Sequence, residues 1–260
     1  SWQSCPIFFT RGCVPTKWTR REPIPELTTT YITGESTRYN RDYYTDGSGG
    51  KHGRDKRMRA CGWAVVAITT ELKTEDPLHP CMYRPVPTHA LFGALGGQEH
   101  TVPRAELQAC IEIIADQTSG GTTMCTDPLH IWSDSKYVVD KWLKGPAQRP
   151  PPQREANHEM WERFWRIAAF APGLCIRKVM SHVDEDFLAL GYQSILDTQG
   201  NILADAAAGV GATAHAIDDQ RRIDIDQLDK DTEVLLRRLV HINMLHLKVE
   251  TDPERGTTPS

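Results

Sequence analysis

Four acidic residues stand at the edges of separate predicted elements and could act together as metal ligands. Asp46 ends a strand-like run of Tyr and Thr residues, and Asp134 ends another strand directly before a helix. Glu106 lies near the start of a helix that Pro103 favours, and Asp205 lies in a helix rich in small residues. Four converging carboxylates would repel one another by roughly several kcal/mol without divalent cations between them. Magnesium prefers such oxygen ligands, so the pattern predicts a magnesium site if the acids meet.

The chemistry that such a site supports is phosphodiester hydrolysis. Two magnesium ions roughly 4 Å apart would activate an attacking water and stabilise the leaving oxygen. The chain has neither a Gly-x-Ser-x-Gly motif nor a paired Cys/His motif that would favour covalent catalysis. Asp46-Gly-Ser by itself is typical of an ordinary turn, and only the three further acids favour a metal site. Because the four acids are spread over about 160 residues, their spacing alone does not show that they converge.

The hydrophobic pattern predicts a mixed sheet flanked by helices, in the order β-β-β-α-β-α-α-β-α. A strand that ends in Asp directly before a helix lies where α/β folds place their chemistry. The predicted strands begin at Tyr43, Cys61, His89, Leu129 and Cys175, with a proline-rich connection over residues 71–88. The predicted helices begin near Thr101, Ser135, Asn157 and Asn201.

Four segments are predicted along the chain. Residues 1–40 are expected to form an extended arm or linker from an upstream domain, because their aromatic, basic and proline residues follow no period. Residues 41–216, which contain the four acids, are expected to form the catalytic domain. Residues 217–249 carry an apolar stripe at helical spacing and predict an amphipathic helical extension, and residues 250–260 predict a disordered tail. The chain begins without Met or a signal-peptide pattern, so we expect it to be a piece of a longer protein.

Composition excludes several classes of protein. The net charge of −4 argues against a protein that coats nucleic acid unselectively, because such binding depends on Lys and Arg. No apolar run approaches the roughly 18 residues that span a bilayer, so no membrane partner is expected. The seven cysteines never form Cys-x-x-Cys, which favours reduced thiols in an intracellular protein, in the cytoplasm or the nucleus.

Five motifs occur in the order found in type 1 ribonuclease H, which this chain resembles over roughly residues 40–215. They are Thr-Asp46-Gly-Ser, Arg-Ala-Glu106-Leu, Trp-Ser-Asp134-Ser-Lys-Tyr-Val, Ser-His182 and Asn201-x-x-Ala-Asp205. The resemblance implies a ribonuclease H-like α/β fold with a five-stranded mixed sheet. It implies an endonuclease that hydrolyses the RNA strand of RNA/DNA hybrids with two Mg²⁺ ions, for which Mn²⁺ can substitute. It also implies a domain of a retroelement-like polyprotein, with an upstream reverse-transcriptase-like domain as a partner.

The resemblance assigns roles to individual residues. Asp46, Glu106, Asp134 and Asp205 match the four metal ligands of the family. His182 matches a loop histidine that assists proton movement or product departure, although a lone His after a strand is more often a surface or cap residue. The loop over residues 183–199 is predicted to be a solvated excursion, and a lid over the metal site is the alternative.

Substrate contacts are carried over in the same way. Thr101 and Asn157 match residues that hold a phosphate of the DNA strand, and both are also predicted to cap helices. Ser48 and Gly49 lie where the family's backbone approaches ribose, and Lys136, in place of a frequent glutamine, could reach a phosphate. The proline-rich connection over residues 144–154 lacks the basic handle of many cellular members. We therefore expect substrate affinity to depend on an upstream domain or on the terminal arms.

Two other functions remain open at this stage. One is a non-catalytic ribonuclease H-like tether module, and the other is a DNA-acting nuclease of the same superfamily. The presence of all four acids favours an enzyme over a tether. The Asn-x-x-Ala-Asp helix and the pair Thr101 and Asn157 favour hybrid over DNA.

Overall fold

The computed structural model of the 260-residue chain describes residues 5–15, 18, 23, 27–32, 42–72, 83–97, 99–146, 155–181, 183, 188 and 190–250. The chain forms two compact units. One comprises Pro23–Ala216, and the other combines Ser1–Glu22 with Ile217–Ser260.

Six strands among the described residues form one sheet in the larger unit. They are β1 (Leu27–Ile32), β2 (Asp42–Ser48), β3 (Gly62–Leu72), β4 (Tyr83–Ala94), β5 (Leu129–Ser133) and β6 (Leu174–Lys178). The order across the sheet is β1-β4-β3-β2-β5-β6. The first four strands of this order, β1-β4-β3-β2, are antiparallel to their neighbours. Strand β5 runs parallel to β2, and β6 runs parallel to β5. Parallel pairs require crossover connections, and helices provide them on both sides of β5.

Helices cover both faces of the sheet. They are α2 (Val102–Gln117), α3 (Lys136–Lys144), α4 (His158–Ala168) and α5 (Ile195–Thr213). Successive residues of a strand point to opposite faces, and β2 follows this rule. Tyr43 packs in the large core with α2, α3 and α4, whereas Tyr44 packs in a smaller core with Ala204 of α5. The predicted fold, a mixed sheet of five strands flanked by helices, is confirmed.

Strand β4 begins earlier than predicted. The sequence placed residues 71–88 in a proline-rich connection, but Tyr83–Pro87 pairs with the end of β3. Among the described residues, β1 pairs with β4 only from His89 onward, so the preceding part of β4 lies at an edge of the described sheet. Proline is tolerated on an edge because its missing N–H would face outward. The register of the β3–β4 pairing also shifts between Ala67 and Ile68.

Helix α5 also begins earlier than predicted, at Ile195 and not near Asn201. The Ser194 side chain caps it by accepting a hydrogen bond from the Asp197 backbone N–H at 3.0 Å. The predicted loop over residues 183–199 is therefore shorter than expected. Its acidic residues at 184–186 lie outside the described residues, so the lid hypothesis stays a prediction.

The sixth strand, β1, comes from the segment that the sequence assigned to an extended arm. Its residues Leu27–Ile32 pair antiparallel with His89–Ala94 of β4. The run Leu-Thr-Thr-Thr-Tyr-Ile favours a strand by composition, and the exposed edge of β4 provides its partner. The arm is therefore partly built into the sheet.

The smaller unit contains helix α1 (Pro6–Arg11) and the long helix α6 (Asp219–Glu250). Phe8 is buried and makes an edge-to-face contact with Trp18, with ring centroids 5.9 Å apart. Ile225 and Leu228 of α6 are buried. The predicted C-terminal helix is thus present, whereas residues 251–260 of the predicted tail lie outside the described residues, and the roles assigned to the four segments stay predictions.

Two further predictions concern thiols and membranes. The six cysteines in the described part of the chain are free thiols, and Cys81 lies outside it. Among the described helices, none is both long enough and apolar enough to cross a bilayer.

Candidate active site

The parallel pairing of β2 and β5 brings two of the predicted acids to one edge of the sheet. Thr45 and Ser133 are direct partners in the register. Asp46 and Asp134 each follow one of these partners, so both carboxylates lie at the carboxyl end of the parallel pair. Asp46 is still within β2, which continues to Ser48 and does not break at the glycine as predicted.

Glu106 joins the pair because α2 passes directly over the backbone of β2. A Cβ atom at Gly47 would lie 2.6 Å from the Glu106 backbone nitrogen, so only glycine permits this approach. Carboxylate oxygens of Asp46, Glu106 and Asp134 lie within 4.8 Å of one another. The second residue of the Asp-Gly-Ser motif therefore makes room for the helix that supplies the third acid.

Asp205 is brought to the site by α5, whose glycines let it pack closely against the sheet. A Cβ at Gly200 would lie 2.3 Å from the Tyr44 ring, and one at Gly211 would lie 2.4 Å from the Gly93 carbonyl oxygen. The exposed Asp205 carboxyl lines the same cavity as Asp46 and helps to raise the pKa of Asp46. The structure thus brings all four predicted acids together.

A cavity of about 140 Å³ opens at this cluster. At about 30 Å³ per water molecule in the liquid, it has room for about four waters. Its walls include Asp46, Asp134, Ser181, Val183, Thr198, Asn201 and Asp205.

The electrostatics of the site favour a bound cation. Burial, followed by the charges of Asp134 and Asp205, raises the pKa of Asp46 from 3.8 to about 7. Burial and the charge of Asp46 also raise the pKa of Glu106. Among the described residues, the Glu106 Oε2 atom is buried without a hydrogen-bond partner. Buried carboxylates that lack a partner are costly, and a divalent cation would satisfy them.

His182 lies outside the described residues, so its predicted role stays a prediction. Its neighbours Ser181 and Val183 both line the cavity. The chain at this point is tied to α5 by Gln193, which the sequence analysis did not single out. Its Oε1 accepts a hydrogen bond from the Met180 N–H at 2.7 Å, and its Nε2 donates to the Met180 carbonyl at 3.2 Å and to Thr198 Oγ1 at 3.0 Å.

Thr101 and Asn157 are brought together by an arginine between them. Thr101 caps α2 as predicted, since its side chain accepts a hydrogen bond from the Arg104 N–H at 3.3 Å. Arg104 Nη1 donates to Asn157 Oδ1 at 3.2 Å and to Glu159 at 2.5 Å. The predicted pair therefore lies in one polar cluster at the start of α2.

Asn157 is the N-cap residue of α4 as predicted, but the capping role expected of its side chain is not met, because that side chain makes no capping hydrogen bond. Its backbone adopts the left-handed conformation with φ of 59°, which turns the side chain toward other partners. Its amide Nδ2 donates to the Tyr137 hydroxyl at 3.2 Å.

The remaining predicted substrate residues are near the site but do not line its cavity. Ser48 accepts a hydrogen bond from the Gly50 N–H at 3.2 Å. A Cβ at Gly49 would lie 3.3 Å from Val102 Cγ2, which places Gly49 beside the start of α2. Lys136 is exposed at the first position of α3.

Three residues that organise this region had no individual role assigned from the sequence: Arg104, Gln193 and Asn201. The amide oxygen of Asn201 is buried without a partner in the described part of the chain, and this residue lines the cavity. Arg104 and Asn201 lay within quoted motifs and could have been singled out. No sequence pattern identifies Gln193, because its contact partner Met180 is thirteen residues away and the residues between them follow no helical or strand period.

No protein-family profile and no curated protein sequence matches the chain. Solved structures do. The solution structure of the prototype foamy virus RNase H domain matches 66% of this chain and 94% of its own, at 21% identity and a TM-score of 0.46. A prototype foamy virus protease–reverse transcriptase matches 75% of this chain and 24% of its own, at 20% identity and a TM-score of 0.44.

A third solved structure is LC11-RNase H1 in complex with RNA/DNA hybrid. It matches 66% of this chain and 96% of its own, at 17% identity and a TM-score of 0.40. Solved ribonuclease H domains are thus among the structures similar to this chain, whose own sheet has the strand order β1-β4-β3-β2-β5-β6.

Proposed function

We propose that the chain is a metal-dependent endonuclease that hydrolyses the RNA strand of RNA/DNA hybrids. The observation that carries the proposal is the carboxylate cluster, in which oxygens of Asp46, Glu106 and Asp134 lie within 4.8 Å of one another, beside a cavity that Asp46 and Asp134 line. Such a cluster is unfavourable by itself, because burial and mutual repulsion raise the pKa values of Asp46 and Glu106.

The residues present fit two divalent cations, Mg²⁺ with Mn²⁺ as a substitute. Asp46, Glu106, Asp134 and Asp205 would hold them, and the unpartnered Oε2 of Glu106 is one oxygen that such an ion would satisfy. When bound, the ions would activate a water and stabilise the leaving oxygen in an in-line displacement.

The chain's own residues position the substrate. Thr101 and Asn157, linked through Arg104, form a polar cluster suited to a phosphate of the DNA strand. Ser48 and Gly49 approach from β2 and would meet the ribose side, where 2′-hydroxyls distinguish RNA from DNA. We assign His182 to proton movement or product departure from its place in the ordered motifs, as part of Ser-His182.

The context of the chain is part of the same proposal. An upstream reverse-transcriptase-like domain of a retroelement-like polyprotein is the proposed partner. The free thiols support an intracellular location.

The test is cleavage of a labelled RNA/DNA hybrid with Mg²⁺, beside double-stranded RNA and double-stranded DNA. We expect cutting of the hybrid alone, its abolition by EDTA, and its loss in Asp46→Asn and Asp134→Asn. Full activity in both variants would overturn the assignment of the acids. Cleavage of DNA would favour the DNA-acting nuclease. Binding of the hybrid without cleavage, whichever metal ion is added, would favour the tether module.

A further inference from the structure

The turn between β2 and β3 concentrates positive charge on an otherwise acidic chain. Residues 51–59 read Lys-His-Gly-Arg-Asp-Lys-Arg-Met-Arg, with five cationic side chains, one acidic side chain and hence a net charge of +4. The whole chain has a net charge of −4. We call residues 51–59 the basic turn.

Hydrogen bonds within the basic turn give it a defined shape. The Asp55 carbonyl accepts from the Met58 N–H at 3.1 Å and from the Arg59 N–H at 2.8 Å. Asp55 also forms an ion pair with Arg57 at 2.6 Å. Arg59 Nε donates to the Gly53 carbonyl at 2.5 Å. Arg57 and Arg59 therefore hold the turn together, which leaves the other three cations to face outward.

Those three cations are Lys51, Arg54 and Lys56. All are exposed, and none forms an ion pair with another residue that the structure describes. Three solvated cations on an ordered turn are a surface for anions, since ordering the turn in advance lowers the entropic cost of binding.

The basic turn is anchored at the edge of the sheet that carries the acidic cluster. Arg59 Nη1 donates to the His100 carbonyl at 3.2 Å, directly before the cap of α2. At Gly50, which has a φ of 66°, a Cβ would lie 2.6 Å from the Ala60 carbonyl and 3.2 Å from Ala212 Cβ of α5. The turn is thus held between the two helices that carry Glu106 and Asp205.

A duplex that enters the acidic cluster would come within reach of the turn. Lys51 follows Asp46 by five residues, so their Cα atoms are at most about 18 Å apart. A nucleic-acid duplex carries about one phosphate charge per 1.7 Å of its axis. A substrate centred on the cluster therefore presents about ten phosphates over this distance.

We propose that the basic turn is a phosphate-binding surface that holds the RNA/DNA hybrid beside the cleavage site. This inference rests on the proposed function. It adds a binding surface for the part of the substrate that lies outside the cavity. It also supplies cationic contacts that the sequence analysis expected only from an upstream domain or the terminal arms. The contacts are to phosphates, so they supply affinity without base preference.

The test compares two triple variants of the full chain with equal changes in charge. Lys51→Gln, Arg54→Gln and Lys56→Gln remove the outward cations of the turn. The control carries Arg166→Gln, Lys230→Gln and Arg238→Gln, three exposed cations on α4 and α6. Circular dichroism verifies that both variants fold.

Affinity for a fluorescein-labelled hybrid is measured by anisotropy in EDTA at several salt concentrations. The turn variant should bind at least tenfold more weakly at 0.1 M salt, and its slope of log affinity against log salt should be smaller by about 2 to 3. Its KM for cleavage in Mg²⁺ should rise while kcat stays within about twofold of the parent value. The control variant should keep the parent's affinity and slope.

Equal losses in the two variants would show an effect of total charge and overturn the proposal. Unchanged affinity in the turn variant would overturn it too, and would leave an acidic protein surface as the partner of the turn. Failure of the unaltered chain to bind or cut the hybrid would instead overturn the proposed function, and this inference with it.

Discussion

Replacing Asp46 with Asn should stabilise the metal-free protein at neutral pH even as it abolishes cleavage. Asp46 is only 6% exposed, and its pKa is raised from 3.8 to about 7 by burial and by the neighbouring acids. The folded state therefore binds this proton more tightly than the unfolded chain does. The folded state is therefore favoured below about pH 4, where Asp46 is protonated. This contribution to the free energy of unfolding is lost as the pH rises through about 7 and Asp46 becomes charged.

The magnitude follows from the size of that shift. A difference of about three pKa units corresponds to about 4 kcal/mol at pH values above 7, at about 1.4 kcal/mol per unit. The larger unit has just under 200 residues, for which 1 kcal/mol shifts Tm by about 2 to 4 °C. Asp46→Asn should then raise the Tm of the metal-free protein by about 8 to 16 °C at pH 8 and by almost nothing at pH 4.

Thermal unfolding in EDTA at pH 4, 6 and 8 measures the effect, with Asp140→Asn as a control at an exposed acid of α3. Addition of Mg²⁺ should stabilise the parent protein and should stabilise Asp46→Asn much less, since a ligand of the ion is gone. A variant that melts at or below the parent's temperature at pH 8 in EDTA would refute the reasoning. So would a difference in Tm that does not depend on pH.

Two further predictions concern the packing around the site. Gly200→Ala should destabilise the protein by about 1 to 3 kcal/mol in urea unfolding, because its Cβ would lie 2.3 Å from the Tyr44 ring. Gly209→Ala on the same helix, whose Cβ would meet nothing within 4 Å, should instead be neutral or stabilising by up to about 1 kcal/mol, and equal effects of the two would contradict this packing. Gln193→Ala should lower kcat and speed chymotryptic cleavage near residue 192, because both hydrogen bonds to Met180 are lost. In Gln193→Glu, which keeps the acceptor and loses the donor, both kcat and the rate of chymotryptic cleavage should lie between the values of the parent and of Gln193→Ala. An unchanged cleavage rate in the alanine variant would show that the contact does not hold this segment.

The acidic cluster was predictable from sequence because its signals are local. Asp46 lies near the end of β2, Asp134 directly follows β5, and Thr101 with Pro103 marks the start of the helix that carries Glu106. Each of these features depends on a few neighbouring residues. Their order along the chain then carried the resemblance that implied convergence, and the parallel register of β2 and β5 provides the physical reason for it.

The parts that were missed depend on contacts between distant residues. The β1 run has the composition of a strand, but its partner is β4, about 60 residues away, and no local pattern identifies that pairing. Pro85 and Pro87 argued against a strand until the edge position of that part of β4 was known. Asn157 has the residue type of a helix cap, and only the position of Arg104 and Tyr137 reveals that its side chain bonds elsewhere.

The pairing of β1 with β4 has a practical consequence for shortened versions of the protein. A chain that begins at residue 41, where the ribonuclease H resemblance starts, would lack the short edge strand β1, and the backbone groups of His89–Ala94 that face β1 would become part of a longer open edge on β4. Open edges recruit strands from other molecules, so such a fragment should self-associate even though it retains every proposed catalytic residue. A chain that begins at residue 23 keeps β1 with its sheet. Low yield or aggregation of the shorter fragment would therefore reflect a missing edge strand, not a defect in the catalytic fold.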